Sequence, residues 1–451
     1  MTRATPAFST PAGRPVSALE RATLSRVSRR LVPFLFLLYV ASYLDRVNVG
    51  FAALQMNRAL GLSATAYGLG AGVFFLGYCL LEVPSNLMLA RVGARRWIAR
   101  IMISWGLVSS AMLFARGPTS FYLLRFLLGA AEAGFFPGIV FYLTEWFPCE
   151  GRARVIARFM AAIPLAGIIG GPLSGALLGL GGRFGLAGWQ WLFLIEGIPS
   201  VVLGVATLVY LTDRPETAHW LGDAERAWLT ERLRAEREQC ISQHHVSVRQ
   251  AMAHPAVWKL GLLQGLSITG GLYALSFWLP QLVKAFSGGS DFRVGFVTAI
   301  PYTCAVVAML FVGAHSDRTG ERWLHIAGCS LVAAAGFLAS AYVRTPVFAL
   351  LALSVAAAGI LSGGAPFFTL PGAFLSGEAA AAGVALINSV ANIMGFAVPY
   401  ALGLLKDATG DYYTGLALLA LLPLAGSALA IRLRNAPVFQ STLALAQAAV
   451  P

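Results

Sequence analysis

Twelve apolar runs of about 20 residues or more constrain this chain more than any other feature it carries. They occupy 31–53, 65–90, 97–115, 120–143, 156–180, 189–211, 257–284, 293–314, 323–343, 346–370, 381–404 and 413–433. Each is long enough to cross the hydrocarbon core of a bilayer. Lipid cannot satisfy an open backbone, so runs of this length are read as helices. Composition agrees: 57% of the 451 residues are hydrophobic and 12% are charged. Soluble domains carry about 25% charged residues, so this chain has too little charge to cover a water-facing surface of its size. The expected fold class is all-α integral membrane, with twelve transmembrane helices in two six-helix bundles embedded in lipid.

The basic residues are distributed around those runs. The formal net charge is +13, yet it forms no single patch for a nucleic acid; the charges fall in short clusters between runs. With both ends placed in the cytoplasm, 24 of the 33 Lys and Arg residues lie in cytoplasmic segments and 7 outside, while Arg46 and Arg125 lie within runs. That asymmetry predicts a multi-pass inner-membrane protein with cytoplasmic N- and C-termini. The one long polar segment, Thr212 to Pro255, is rich in Arg and Glu and contains an amphipathic stretch from Asp223 to Gln239. It divides the chain into an N-terminal tail (1–30), a six-helix bundle (31–211), a central cytoplasmic loop acting as a tether (212–256), a second bundle (257–433) and a C-terminal tail (434–451). The first 30 residues read as a disordered polar tail without the apolar core of a cleavable signal. Five cysteines show no metal-ligand spacing. Cys79, Cys304 and Cys329 fall in apolar runs, Cys149 and Cys240 in polar loops, and all are read as unpaired.

Charges inside the membrane are the sharpest functional signal, because each costs roughly 2.5–3.5 kcal/mol on insertion scales. Run 1 holds Asp45 and Arg46, run 2 Glu82, run 4 Arg125 and Glu132, and run 6 Glu196. The second half offers neutral polar groups: Gln264, Tyr273, Asn388 and Asn392. Ionic chemistry is therefore expected in the first half and neutral hydrogen bonding in the second. Glu132 sits among Ala, Gly and Phe, a setting in which a carboxyl can bind and release protons at cellular pH. Arg125 lies two turns from it, too far for a close pair without help. Asp45 and Arg46 are adjacent, so they point about 100° apart and need not pair. A guanidinium fork at Arg46 suits a carboxylate. The competing structural reading joins Asp45, Arg46, Arg125 and Glu132 in one salt network that locks run 1 to run 4. For Glu82 and Glu196, nearer their helix ends, structural or interfacial roles are expected. Tyr78 and Tyr273 can bond substrate or merely pack. Asn388 and Asn392, four apart on one face, are assigned to substrate with a neighbouring helix as the alternative.

Two loops repeat a pattern. Loop 2–3 reads Ala90-Arg91-Val92-Gly93-Ala94-Arg95-Arg96-Trp97; loop 8–9 reads Asp317-Arg318-Thr319-Gly320-Glu321-Arg322-Trp323, preceded by Gly313. The pattern resembles the loop signature of the major facilitator superfamily, whose fold is two six-helix halves with inverted repeats inside each. The first copy departs from it: Ala90 stands where the Asp usually is, and Asn86 where the first Gly is. A gating ion pair there needs another acid. Gly167-x-x-x-Gly171-Pro172-x-x-Gly175 in run 5 partly resembles the antiporter motif of exporters, with Ala176 in place of its final Gly. It reads as a gating interface and keeps efflux open.

A narrower resemblance rests on Tyr43-Leu-Asp-Arg-Val-Asn-Val-Gly-Phe51, Arg125-Phe-Leu-Leu-Gly-Ala-Ala-Glu-Ala-Gly-Phe-Phe-Pro-Gly138, Trp189-Gln-Trp-Leu-Phe-Leu-Ile-Glu-Gly197 and Asp213-Arg-Pro-Glu216. These are similar to the anion:cation symporter family, and within it to tartrate, phthalate and related aromatic-acid permeases. The resemblance implies proton roles for Asp45 and Glu132, an anion role for Arg46, and uptake as the direction. With no Walker loop and no H-E-x-x-H, the expectation is a monomeric, non-enzymatic transporter that uses a proton gradient and no cofactor or metal. It would import a tartrate-like carboxylate by alternating access, with Arg46, Arg125, Tyr43, Tyr78, Tyr273, Asn388 and Asn392 at the substrate. The alternatives are aromatic acids such as phthalate, nicotinate or hydroxyphenylacetate, and proton-driven efflux of a drug or metabolite. Arg91, Gly93, Arg95, Asp317, Arg318, Gly320 and Arg322 form the expected gating loops.

Overall fold

The computed structural model describes residues 17–243, 252–371 and 377–436. All regular elements among them are helical, and twelve helices are long and apolar enough to cross a membrane. We label these α1 (Ala18–Ala59), α2 (Ala64–Val92), α3 (Ala94–Phe114), α4 (Pro118–Thr144), α5 (Arg158–Leu178), α6 (Gly188–Tyr210), α7 (Pro255–Ser287), α8 (Asp291–Thr319), α9 (Trp323–Tyr342), α10 (Pro346–Phe367), α11 (Gly383–Thr409) and α12 (Tyr413–Arg434). Each matches one apolar run. An even number of crossings separates the two tails and the central segment, so all three emerge at one end, here the tail end; the opposite face is the far end.

α1 differs from expectation at its start. Residues 18–30, expected to be a disordered tail, are helical, and Ser17 caps them by accepting from the Glu20 amide at 3.1 Å. The polar composition hid a helical stripe: Thr23, Leu24, Val27 and Leu31 are buried. A linker helix, Asp223–Gln243, runs four residues beyond the amphipathic stretch read from sequence. Its Glu225 holds Arg26 of α1 at 2.6 Å. The Arg30 guanidinium lies over the rings of Tyr210 and Trp220, at 4.6 and 4.9 Å.

α4 is two helices in line. It breaks directly after Glu132: Ala133 is extended (ψ 131°) and Gly134 is left-handed (φ +85°), after which helix resumes at Phe135. Pro137 explains the position, because it has no N–H for the carbonyl four residues back, that of Ala133. α7 carries a π-helical segment over Gly265–Thr269, a common local distortion at functional sites.

The halves α1–α6 and α7–α12 meet along α1/α7, α2/α11 and α5/α8. The approach is backbone to backbone: a Cβ on Gly50 would lie 2.5 Å from the Ser276 carbonyl oxygen. Gly68 meets the Pro399 carbonyl, and Gly171 the Gly295 carbonyl, still more closely. Polar contacts seal the far end. Gln55 Nε2 donates to Asp291 at 2.8 Å, Asn57 Nδ2 to Gln281 at 3.3 Å, and the Ala64 and Thr65 amides to Asp407 at 3.1 and 2.8 Å.

Candidate functional site

The centre of the site is a buried ion pair between α1 and α4. Arg46 Nη2 bonds Glu132 Oε1, and Ser42, one turn before Arg46, donates to the same oxygen at 2.9 Å. The other guanidinium nitrogen crosses to the second half, where Arg46 Nη1 donates to the Tyr273 hydroxyl at 2.8 Å. Arg46 also stands 5.4 Å from the ring centres of Phe74 and Tyr78, and its Nε has no partner. The break in α4 puts Glu132 on the last helical residue before the chain turns, facing α1. Gly129, one turn earlier, lets α4 press against the Phe74 carbonyl of α2.

Arg125 also lies over the Phe74 ring, with its guanidinium 5.0 Å from the ring centre and 5.8 Å from that of Phe277. It is fully buried. Nη2 donates weakly to the Ala71 carbonyl at 3.3 Å, while Nε and Nη1 have no partner. No acid pairs with it among the described residues. Tyr43 bonds Ser276 of α7 at 3.3 Å, and Ser276 bonds Tyr302 of α8 at 3.4 Å, so a hydroxyl chain joins three helices.

Asp45 is elsewhere. It faces away from Arg46, into the first half, and accepts from Trp105 Nε1 (2.7 Å), Ser109 Oγ (2.8 Å) and Ser200 Oγ (2.6 Å). The four-member salt network is therefore corrected: Arg46–Glu132 does tie α1 to α4, but Asp45 and Arg125 are outside it. The 100° between adjacent helical residues is the reason. Sequence reasoning missed Ser42, Phe74, Trp105, Ser109, Ser200 and Ser276. Trp105 left a signal, since a buried indole N–H needs an acceptor.

Asn388, assigned first to substrate, is used by a helix: its Nδ2 donates to Glu82 Oε1 at 3.1 Å, and Ser389 bonds Glu82 Oε2. Glu82 is thus a link from α2 to α11 between the halves. Asn392 is buried one turn further along α11. In α5, Gly167 packs on the Tyr302 ring and Gly171 and Gly175 on the start of α8, at the interface between halves.

The two loops close differently. In loop 2–3, Gly93 is left-handed (φ +96°), and Asp213, just beyond α6, accepts from the Arg95 amide at 2.8 Å and lies 3.9 Å from its guanidinium. Asp213 is thus the acid that Ala90 does not supply. In loop 8–9, Arg322 donates to Asp317 at 2.7 Å and to Ser316 at 2.8 Å across the left-handed Gly320. Glu321 of this loop lies 3.3 Å from Arg434, joining it to α12. Arg91 and Arg318 lie in the two loops beside these contacts.

A twelve-helix fold with an unwound, charged centre can be placed among known proteins. The Major Facilitator Superfamily model matches residues 35–399. The chain belongs to that superfamily. It is a transporter, not an enzyme, and a multi-pass membrane protein. It is 51% identical to the "Putative tartrate transporter" of Agrobacterium vitis, over 93% of this chain and 93% of that one. It is 42% identical to the "Quinolone resistance transporter" of Acinetobacter baumannii, over 90% and 94%. Its fold matches the partially occluded inward open conformation of the xylose transporter XylE from Escherichia coli, with a TM-score of 0.74 and 12% identity, over 90% and 98% of the chains.

Proposed function

We propose that this secondary transporter imports a small organic dicarboxylate of the tartrate type together with protons, by alternating access of its two halves. The observation that carries the reading is the state of the two guanidiniums. Arg125 is buried, charged and short of acceptors; Arg46 is held by Glu132. A fixed guanidinium fork binds a carboxylate in two parallel bonds, so Arg125 offers a place for one carboxylate at once. Arg46 offers a second only when Glu132 lets go.

That condition supplies the coupling. While Glu132 is ionised it competes with the substrate for Arg46. A proton on Glu132 removes the competitor and leaves two cations facing two carboxylates, a balanced buried set. Bringing in the dianion without the proton crowds three carboxylates onto two guanidiniums, and an unpaired buried charge is costly. Substrate and proton therefore bind together. Tyr273 presents a neutral group of the second half to the same space, so closure of α7 on the ligand couples occupancy to the movement of the halves. The sealed far end fits a state closed to the outside, with the termini in the cytoplasm.

The relatives' names point to a carboxylate for one and a drug for another, so direction and substrate are tested together. Purified protein in vesicles with an imposed pH gradient, inside alkaline, is given labelled tartrate, phthalate, nicotinate and a quinolone. Accumulation of tartrate above its outside concentration supports the proposal. Extrusion of the quinolone against its gradient, with no tartrate uptake, replaces it with the efflux reading.

A further inference from the structure

Behind α1, away from the two guanidiniums, the first half buries a second polar pocket in two layers. One layer is Asp45 with its three donors. The other lies about one helical turn, about 5 Å, nearer the far end: Asn48 on α1, Ser174 on α5 and Glu196 on α6. Glu196 is 5% exposed and Asp45 1%. No Lys or Arg bonds either carboxyl among the described residues. Two carboxylates in one dry pocket without a cation cannot both be charged at reasonable cost.

Their hydrogen bonds decide which one gives way. Asp45 receives three donors spread over both oxygens, the environment of an ionised carboxylate. Glu196 receives one, Ser174 Oγ at 2.8 Å on Oε1, and its Oε2 is buried without a partner. The Asn48 amide faces Glu196, and neither its nitrogen nor its oxygen has another partner. An amide in that position serves both states of a carboxyl: its oxygen accepts from an acid O–H, and its N–H₂ donates to a carboxylate. Around this pocket, α3 contributes the hydroxyls of Ser109 and Ser110 and the Trp105 indole, and α8 contributes Thr298 behind Gly171. Asp45 is the charged group that faces it.

We propose that Glu196 is a third proton-binding carboxyl of this transporter: it carries a proton in the conformation described, on the far-end side of Asp45, with Asn48 as the partner that accommodates its gain and loss. The proposal extends the proton-coupled reading above and does not use the substrate site. Its place one turn from Asp45, toward the end sealed in this state, makes it the carboxyl that meets protons arriving from the far side before Asp45 does.

The test reads the proton directly. Infrared spectra of the purified wild-type protein, without substrate or gradient, are titrated and compared with Glu196→Gln and Asp45→Asn. We expect a carbonyl stretch of a buried carboxylic acid that is lost in Glu196→Gln and retained in Asp45→Asn; its persistence in Glu196→Gln overturns the proposal. In vesicles, Glu196→Gln should transport with one proton fewer per substrate, read from the reversal of flux against the pH gradient. An infrared band that is lost with an unchanged ratio makes Glu196 a permanently protonated structural acid and overturns its carrier role. Should the wild type prove not to be proton-coupled at all, the infrared arm still decides whether Glu196 holds a proton, so the two failures are separable. Gln keeps the Ser174 and Asn48 contacts, and its folding is checked by the same far-ultraviolet signal as the wild type.

Discussion

Replacing Glu132 with Gln tests the competition for Arg46. The amide keeps the size of the side chain and still accepts from Ser42, which bonds Oε1 at 2.9 Å. It removes the negative charge that holds Arg46. Removing one partner of a buried ion pair strands the other at a cost of about 3–5 kcal/mol. Here the stranded guanidinium keeps its bond to Tyr273, so the lower end applies, and an incoming carboxylate relieves it. Two consequences follow. The variant should bind the dicarboxylate at alkaline pH as well as the wild type does at acid pH, and ligand should raise its thermal stability more than it raises that of the wild type. It should also lose coupling, because substrate no longer waits for a proton. Each coupled proton in a gradient of one pH unit supplies about 1.4 kcal/mol, a tenfold accumulation. We expect the accumulation ratio to fall about tenfold per pH unit of gradient, while exchange of labelled for unlabelled substrate continues. Accumulation at the wild-type ratio in Glu132→Gln vesicles refutes the competition mechanism.

Other substitutions separate the remaining roles. Arg46→Ala should weaken dicarboxylate binding at least tenfold, since a charge-assisted hydrogen bond is worth about 1.5–3 kcal/mol; calorimetry on the purified protein at acid pH checks it. Arg125→Gln should weaken a dicarboxylate more than a monocarboxylate, and equal losses in competition assays would remove Arg125 from the substrate. Trp105→Phe deletes one of three donors to Asp45 and should move the pH profile of transport toward alkaline values, with affinity at saturating proton concentration unchanged. Asp213→Ala should loosen loop 2–3 by about 1 kcal/mol, the worth of a partly exposed hydrogen bond, visible as faster hydrogen exchange at Gly93 to Trp97 with substrate affinity intact.

Length and apolarity made the twelve spans legible, because lipid leaves few choices to a backbone. They also concealed the start of α1: an apolarity scan stops at the Arg-rich stretch, whereas the helix is held by Thr23, Leu24 and Val27 at helical spacing and by the linker helix. The charged residues of the site were legible one by one, since each is expensive in a membrane. Their pairing was not. Arg46 finds Glu132 across 86 positions and Asp45 finds Ser200 across 155, and helix geometry sends the adjacent Asp45 and Arg46 to opposite sides. The break in α4 was readable from Pro137 and Gly134 but was covered by an otherwise continuous apolar run. The neighbouring-helix partner of Asn388 could not be named from sequence, because Glu82 lies in the other half and no sequence pattern joins α2 to α11.

Proton movement driven by substrate is the most direct measurement of the central claim. Vesicles containing the protein and a pH-sensitive dye, equal in pH inside and out and with the membrane potential clamped, are given an inward gradient of the dicarboxylate alone. The account predicts acidification of the interior in fixed proportion to the labelled substrate taken up, with at least one proton fewer per substrate in Glu132→Gln. Substrate uptake in the wild type with no change in interior pH, or with alkalinisation, would contradict it.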